Sequence, residues 1–409
     1  MKSYSVTRPF FDRSELEMIS ATLSSGWVAQ GAQVAEFEKR ISAHEGVKHG
    51  VATTSCTTAL HLAMVAKGLG AGMDAIAPAF TFVATENAIV MTGATPILVD
   101  IERNTYNIDP NKIEETINTK YIEQDGKLVN RDSGNTLWGI VPVHQFGLCC
   151  DMERINGIAR KYHVNVLEDA ACALGAKIGN THEGAFGNTS CLSFHPRKSI
   201  TTGEGGMVLT DEDSLALMMK KLRSHGNSVS AIDRDKHDGF LLPEFDDAGY
   251  NYRMTDIQGA MGVAQAEKLD AIIERKRELA TVYTHLIHEK IQELIPPVEP
   301  DGYFHTYQTY VCMLNLDKMG VESIEDGGSL RNLLQQSLAS KGIATRQGTH
   351  AVHLLGYYKR RFGFHPRDFI NAYMCDRLTI SLPLYYGLTA SDIEDITERI
   401  EESIDEECR

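Results

Sequence analysis

Short apolar runs alternate with amphipathic stretches through the first 265 residues of the chain. The runs have the length of strands, and the stretches between them, such as 57–67 and 151–162, repeat apolar residues at helical spacing. Strands interleaved with helices predict crossover units, and therefore an α/β domain with a mostly parallel central sheet flanked by helices. The predicted strands are residues 49–52, 74–78, 95–99, 139–143, 164–167, 191–194 and 206–209.

A single helical pattern from residue 255 to about residue 287 is long enough to bridge two domains. We place a domain boundary inside it, which gives a large α/β domain over residues 1–265 and a smaller C-terminal α+β domain over residues 266–409. Thr389 or Ser391 is the predicted N-cap of the last helix. The smaller domain is predicted to contain strands at 308–314 and 378–382 and a helix at 329–339.

The polar stretch 121–136 carries Asp125-Gly126 and Ser133-Gly134, two dipeptides typical of turns. It predicts a loop or hairpin inserted before the strand at 139–143. No function is assigned to it.

The charge of the chain narrows the classes of partner. Its formal charge is −15, from 40 basic and 55 acidic side chains, which argues against a nucleic acid or an anionic membrane. No apolar run approaches the roughly 20 residues of a membrane span, and the first residues lack an apolar leader segment. The eight cysteines are scattered without disulfide-framework spacing. A cytoplasmic protein with reduced thiols is therefore predicted.

Lys198 stands just after the predicted strand at 191–194 and before a glycine-rich turn, 203–206. A lysine held there can form an imine with an aldehyde cofactor and then carry a proton between two carbon atoms. About 30 residues upstream, another apolar run ends at Asp169. A buried carboxylate keeps a pyridine nitrogen protonated, as pyridoxal 5′-phosphate (PLP) requires. We predict a PLP site with Lys198 as Schiff-base lysine and Asp169 as ring-nitrogen partner; taken alone, Asp169 could instead cap a helix.

A strand-to-helix junction at residues 51–60 supplies a place for the cofactor phosphate. Five of the six residues from 53 to 58 carry hydroxyl groups, more than a helix cap requires. The free N–H groups and positive dipole of a helix N-terminus favour a phosphate there. Thr57 is the predicted ligand, with the backbone of Cys56 beside it. Ser193 is a second candidate, and an ordinary buried serine is the alternative.

An aromatic side chain after the strand at 74–78 could stack on the pyridine ring. Phe82 is favoured over Phe80, and the other one would belong to the core. His195 could line the same pocket or serve only the structure. The glycines at 203–206 do not form a P-loop, since no Gly-Lys-Ser/Thr sequence ends them, and they are expected to let the backbone turn beside the cofactor.

With these residues assembled, the chain resembles the DegT-type sugar aminotransferases, PLP enzymes of fold type I in the aspartate aminotransferase superfamily. The resemblance covers nearly the whole chain, through nine segments in the family's order. These are residues 25–31 with Phe37 and Glu38, 57–61, 93–100, 143–147, 168–171, 198–206, 222–226, 249–258 and 381–384.

The resemblance implies two half-reactions. An amino acid, usually L-glutamate, converts the cofactor to pyridoxamine 5′-phosphate, which then aminates a keto group on a nucleotide-linked sugar, most commonly a 4-keto-6-deoxyhexose. It also implies a homodimer in which Asn251 of one subunit reaches the phosphate bound by the other. Lysine at 198 favours transamination over the dehydration of a sister group that carries histidine there. The positions that would face the sugar nucleotide are Trp27, His305, Tyr307, Arg346 and His353.

One departure concerns Cys172, which stands where the family often has a glutamine that touches the cofactor's phenolic oxygen. A thiol is a weaker partner, and we expect a packed rather than a reactive cysteine at this cofactor-side position. No metal site is predicted, because His350 and His353 lack a further ligand at zinc-like spacing. Two other functions stay open: amination of a cyclitol ketone, and a PLP-binding regulatory protein without turnover.

Overall fold

The computed structural model describes residues 2–227 and 244–408. The described part of residues 2–290 forms nine α-helices and the strands that lie between them. The helices are α1 (Arg13–Ser25), α2 (Ala32–Glu45), α3 (Cys56–Ala66), α4 (Ala84–Met91), α5 (Pro110–Lys120), α6 (Met152–Tyr162), α7 (Asp213–Leu222), α8 (Asp256–Ala266) and α9 (Leu269–Lys290), with a 3-10 turn at Gln145–Gly147. The strands are β1 (His49–Thr53), β2 (Met73–Pro78), β3 (Phe80–Thr81), β4 (Thr95–Val99), β5 (Tyr121–Gln124), β6 (Lys127–Asn130), β7 (Thr136–Ile140), β8 (Asn165–Asp169), β9 (Lys177–Ile178), β10 (Thr181–His182), β11 (Thr189–Ser193) and β12 (Gly206–Thr210).

The C-terminal part packs helices around a small antiparallel sheet. Its strands are β13 (Leu294–Ile295), β14 (Tyr303–Phe304), β15 (Tyr310–Leu314), β16 (His350–Ala351) and β17 (Thr379–Leu382). Its helices are α10 (Leu316–Met319), α11 (Ile324–Ser340), α12 (Gly356–Phe362), α13 (Ile370–Leu378) and α14 (Ala390–Cys408), with 3-10 turns at Val352–Leu354 and Pro366–Phe369.

The central sheet runs in the order β1-β12-β11-β8-β7-β2-β4. The pairs from β11 to β4 are parallel, whereas β12 lies antiparallel to both β1 and β11. Because helices cover both faces, the central strands are buried; β11 and β12, for example, are buried along their whole length. The predicted α/β class with a mostly parallel sheet is confirmed.

The polar insertion is a hairpin formed by β5 and β6. Tyr121 pairs with Asn130 and Gln124 with Lys127, so that Asp125 and Gly126 form the two-residue turn. Both turn residues have positive φ, 49° and 73°, which is the geometry that an Asp-Gly hairpin turn favours. The hairpin is anchored from its base, where Tyr121 donates a hydrogen bond to buried Asp74 at 2.8 Å.

The structure differs from the sequence expectation in two places. The predicted helix from 255 to about 287 is two helices, α8 and α9, because the hydrogen-bond pattern changes between them: the Lys268 N–H donates to the Gln265 carbonyl, three residues back, at 3.1 Å. Gln265 and Lys268, on either side of this break, both bind Glu15 of α1. Residues 2–6, assigned from sequence to the first domain, pack on the C-terminal part instead: the Tyr4 N–H donates to the Gly342 carbonyl at 2.8 Å. Thr389 caps α14, since its hydroxyl accepts the N–H of Asp392 at 3.2 Å.

Among the residues that the structure describes, no helix combines the length and the apolar character that a membrane crossing needs.

Candidate active site

Strand register places the predicted cofactor residues along one edge of the central sheet. Gly206, the first residue of β12, is paired with Thr53 at the end of β1 and with Ser193 at the end of β11. On the other side of β11, Cys191 is level with Asp169, the last residue of β8. The helix that follows Thr53, the lysine that follows Ser193, and Asp169 therefore meet at the same edge.

Asp169 is a buried carboxylate held by two donors. It is 4% exposed; Oδ2 accepts the Thr85 hydroxyl at 2.7 Å, and Oδ1 accepts the N–H of Ala171 at 3.1 Å. Burial raises the pKa of Asp169, and these two hydrogen bonds and Lys198 oppose the rise. A cationic ring nitrogen beside Asp169 would stabilise its charge, so the site suits a protonated pyridine.

Lys198 extends from the turn after β11 toward Cys172. Its Nζ lies 3.0 Å from Cys172 Sγ, and both residues are half-buried. Cys172 therefore contacts Lys198 on the wall of the site, and a packed rather than a reactive thiol at this position stays a prediction. Burial opposes the charged form of Lys198, but Cys172, Cys56 and Asp169 together outweigh it, and the pKa of Lys198 is raised.

The hydroxyl groups around the start of α3 fall into two sets, those of the capping network and that of Thr57. Ser55 is the N-cap and accepts the Thr58 N–H, while Thr58 returns a hydrogen bond from its own hydroxyl to the Ser55 carbonyl at 2.8 Å. The Thr53 hydroxyl binds the same carbonyl, and Thr54 pairs with Thr58. Within the described ranges, Thr57 is the member of this group whose hydroxyl makes no hydrogen bond. The capping network thus holds the helix start and leaves Thr57 for a ligand.

The backbone comes unusually close at Gly206. A Cβ atom there would lie 2.4 Å from the Ser55 carbonyl carbon and 2.6 Å from the Cys56 nitrogen. Only glycine lets β12 support the start of α3 this closely. Ser193 is 9% exposed at the end of the neighbouring strand, and Cys56 Sγ contacts the Cys191 carbonyl at 3.8 Å.

The two phenylalanines after β2 have opposite environments. Phe80 is fully buried and packs edge-on against Phe146, with ring centroids 6.5 Å apart. Phe82 is 63% exposed, and its carbonyl accepts a hydrogen bond from Thr85, which also binds Asp169. Phe80 is therefore accounted for by the core. The position of Phe82 beside the Thr85 turn is compatible with ring stacking, which stays a prediction.

Asn251 is exposed and forms a bridge with Ser224 in its own chain. The next residue, Tyr252, accepts a backbone hydrogen bond from Thr54 at 3.1 Å, so this segment borders the phosphate end of the site. The shared-site prediction for Asn251 requires a second subunit and stays a prediction.

The five predicted sugar-nucleotide residues are spread over both parts of the chain. Arg346 is exposed and Trp27 is 38% exposed. His305 and Tyr307 are buried and stacked, with ring centroids 4.0 Å apart. Burial, with Arg277 nearby, lowers the pKa of His305 to about 3. His353 is fully buried, and its Nε2 lies 3.1 Å from the Pro366 carbonyl oxygen. His353 could reach a ligand only if its surroundings moved.

Two supporting residues were not predicted from the sequence. Thr85 is the Asp169 partner described above. Lys276, in the middle of α9, is 3% exposed, and its Nζ donates to the Gln308 carbonyl at 2.7 Å. The Gln308 side chain in turn donates to the Arg197 carbonyl at 2.5 Å, one residue before Lys198. Burial lowers the pKa of Lys276 to about 7, and Lys198 adds to that effect.

His195 lies next to these groups and is partly exposed. Its Nδ1 accepts the N–H of Arg197 at 3.2 Å, which tightens the turn that carries Lys198. Burial lowers the pKa of His195, and Glu204 opposes the change. This contact gives His195 a structural role in the turn, and its contact with a ligand stays a prediction.

The donor set fits PLP group by group. A hydroxyl left free at a helix N-terminus suits the phosphate, a buried carboxylate suits the ring nitrogen, and a lysine between them suits the aldehyde. A sheet of this topology with a lysine, an aspartate and a phosphate seat along one edge is the arrangement of a PLP-dependent aminotransferase of fold type I.

Sequence comparison specifies the class further. Residues 9–401 match the DegT/DnrJ/EryC1/StrS aminotransferase family, and the chain belongs to that family. It is a sugar aminotransferase, an enzyme of a PLP-dependent family. The predicted resemblance is thereby confirmed.

Two curated relatives and one solved structure illustrate the likeness. The chain is 35% identical to the spore coat polysaccharide biosynthesis protein SpsC of Bacillus subtilis, over 97% of this chain and 96% of that one. It is 32% identical to GDP-perosamine synthase of Caulobacter vibrioides, over 97% of each chain. The PLP form of the putative sugar aminotransferase Spr1654 of Streptococcus pneumoniae superposes with a TM-score of 0.85, at 24% identity, and covers 100% of this chain and 99% of that one.

Proposed function

We propose that the protein transfers the amino group of L-glutamate to the keto group of a nucleotide-linked sugar, most specifically a 4-keto-6-deoxyhexose, with Lys198 as the Schiff-base lysine. The observation that carries the proposal is the convergence of Lys198, Asp169 and Thr57 at one edge of the sheet. GDP-perosamine synthase, similar over 97% of both chains, supports a nucleotide-linked sugar as substrate class.

Each residue has a separate task in the proposed reaction. Bound PLP supplies an aldehyde that captures amines and a ring that accepts electrons from the reacting carbon. Thr57 and the N–H groups at the start of α3 would hold the phosphate, and Phe82 would cover one face of the ring. Asp169, fixed by Thr85, would keep the ring nitrogen protonated. Lys198 would supply the amine that anchors the aldehyde and the base that moves a proton at the reacting carbon.

The test begins with the lysine itself, because Lys276 is a second buried amine near the site. Borohydride reduction of the PLP-loaded protein, followed by peptide mass spectrometry, is expected to find the cofactor attached to Lys198. Attachment to Lys276, or a colourless protein that takes up no PLP, would contradict the proposal.

The substitution Lys198→Ala should abolish turnover and keep PLP binding, since the phosphate and ring contacts remain. Lys161→Ala, at an exposed position of α6, is the matched control and should behave like the wild type. Near-normal amination by Lys198→Ala would exclude the assigned role.

The substrate is tested with L-glutamate as donor against nucleotide-linked keto sugars and cyclitol ketones in parallel. Amination of at least one 4-keto-6-deoxyhexose nucleotide is expected. Turnover confined to cyclitol ketones would shift the substrate class. If glutamate bleaches the yellow absorbance of bound PLP but no ketone is aminated, the first half-reaction is supported and the proposed sugar substrate is contradicted.

A further inference from the structure

Two histidine–glutamate pairs, His44-Glu45 and His182-Glu183, face each other away from the candidate active site. His44 and Glu45 are the last two residues of α2, and His182 ends β10. The two imidazole rings lie 5.3 Å apart and nearly perpendicular. Neither pair contributes to the contacts that hold Lys198, Asp169 or Thr57.

Both imidazoles turn the same nitrogen toward one carboxylate. Glu45 is fully buried; its Oε1 lies 2.6 Å from His44 Nδ1, and its Oε2 lies 3.1 Å from His182 Nδ1. One ligand atom from each of these three residues falls within 4.8 Å of the other two. Two imidazole nitrogens and a carboxylate oxygen at such separations form a donor set suited to Zn²⁺.

The second ring nitrogen of His44 makes the kind of contact that metal-binding histidines usually make. His44 Nε2 lies 2.9 Å from Asp270 Oδ1, in the first turn of α9. A histidine that binds a metal through one nitrogen normally donates the other N–H to a carboxylate, which fixes the ring. Asp270 is thus placed to orient His44.

Glu183, the residue after His182, is fully buried beside the cluster. Burial, with Glu45 and Glu168 close by, raises the pKa of Glu183 well above its usual value, so Glu183 adds no buried negative charge to the site.

We propose that His44, Glu45 and His182 bind one Zn²⁺ ion, with Asp270 orienting His44. The bound ion joins the end of α2 to the β9–β10 hairpin and, through Asp270, to α9. The role is structural, since the ligands belong to two separate elements, α2 and β10, and the residues of the cofactor edge are not among them. This site involves none of the histidines, His350 and His353, considered from the sequence.

The experiment measures Zn²⁺ binding to the chelator-treated, PLP-loaded protein by equilibrium dialysis with metal analysis. One Zn²⁺ per chain is expected for the wild type, with a higher thermal midpoint after loading. His182→Gln should lose this site, and Asp270→Asn should weaken it about 10- to 100-fold. His49→Gln is the matched control, because His49 forms a comparable contact, 2.7 Å from Asp213, outside the cluster.

Cys172 is a competing ligand, so Cys172→Ser is included and should bind Zn²⁺ as the wild type does. No stoichiometric Zn²⁺ in the wild type, or unchanged binding in His182→Gln, would show that the cluster is only an ion-pair network. If His182→Gln fails to fold, the spectrum of the Co²⁺-loaded wild type decides: nitrogen and oxygen ligands support the site, and a thiolate charge-transfer band overturns it.

Discussion

Two lysines, one half-buried and one buried, approach the candidate site from different parts of the fold. Lys198 follows β11, whereas Lys276 lies in the middle of α9 and connects to the Lys198 turn through Gln308 and Arg197. Lys276 has no carboxylate partner in the described part of the chain, and burial lowers its pKa to about 7. Near neutral pH it is therefore an amine that gains or loses a proton while Lys198 stays charged.

The lowered pKa of Lys276 predicts how stability changes with pH. In the unfolded chain the group titrates near its usual 10.5, so between about pH 7 and 10.5 only the unfolded chain holds the proton. Folding stability from this group is then lowest below pH 7 and rises with pH through that window. The rise is about 1.4 kcal/mol per pH unit.

The change in the free energy of unfolding with pH is measured by urea unfolding of the wild type and Lys276→Met at about pH 7.5 and about pH 9. The wild type should gain about 2 kcal/mol more than Lys276→Met between the two pH values. Equal gains would mean that Lys276 is charged in the folded protein. Lys198→Met is the comparison, because the pKa of Lys198 is raised rather than lowered in the folded protein.

The sequence points to an individual site residue when the residues next to it in the chain carry the evidence. Lys198 and Thr57 can be proposed from the sequence because each lies in a short stretch with its own chemical signal, a lysine before glycines and a cluster of hydroxyls. Thr85 and Lys276 cannot, because each has an ordinary place in a helix and reaches the site only through tertiary packing. The contact of Cys172 with Lys198 cannot be predicted either, because the two residues are 26 apart in sequence and meet only in the folded chain.

Among the elements, the contact between β12 and α3 decides the shape of the phosphate seat. Gly206→Ala places a Cβ atom 2.4 Å from the Ser55 carbonyl, so the start of α3 must move. Loss of one charge-assisted hydrogen bond to the phosphate weakens PLP binding about 10-fold or more. PLP titration of the apoprotein measures the change.

Gly157→Ala is the control for this substitution, because a Cβ atom at Gly157, inside α6, meets nothing within 4 Å. It should stabilise α6 by about 0.5–1 kcal/mol and leave PLP affinity unchanged. If Gly206→Ala binds PLP as tightly as Gly157→Ala does, the close approach is irrelevant to the phosphate.

The elements themselves were largely predictable, since strands buried on both faces read as short apolar runs and the helices between them have clear periodicity. The hairpin at β5 and β6 was indicated by its Asp125-Gly126 turn. The break between α8 and α9 was not, because apolar spacing continues across it. Gln265 and Lys268 flank that break, and both bind Glu15 of α1, which lies about 250 residues earlier in the sequence.

For the whole molecule, the proposed homodimer makes a quantitative prediction. If Asn251 of one subunit serves the phosphate bound by the other, a heterodimer of Lys198→Ala and Asn251→Asp subunits has one doubly altered site and one intact site. Random exchange of equal amounts should restore about a quarter of wild-type activity, because half of the dimers are mixed and half of their sites are intact.

The assay mixes the two purified variants under conditions where subunit exchange is verified. Each variant mixed with itself is the control and should remain inactive. If Asn251 acts within its own subunit, both sites of the mixed dimer are defective and mixing restores nothing.

The pairing of residues 2–6 with the C-terminal part changes how the two parts are joined. The N–H of Tyr4 binds Gly342, the N–H of Ala344 binds Tyr4, and the N–H of Leu384 binds Val6. Residues 2–6 thus lie on the C-terminal part; the chain then crosses to the large sheet before α1 and returns to the C-terminal part along α9. Two segments of the backbone, rather than one, connect the two parts, so a rotation of one part against the other must deform both segments. A fragment ending at residue 265 would carry a first segment whose binding partner had been removed.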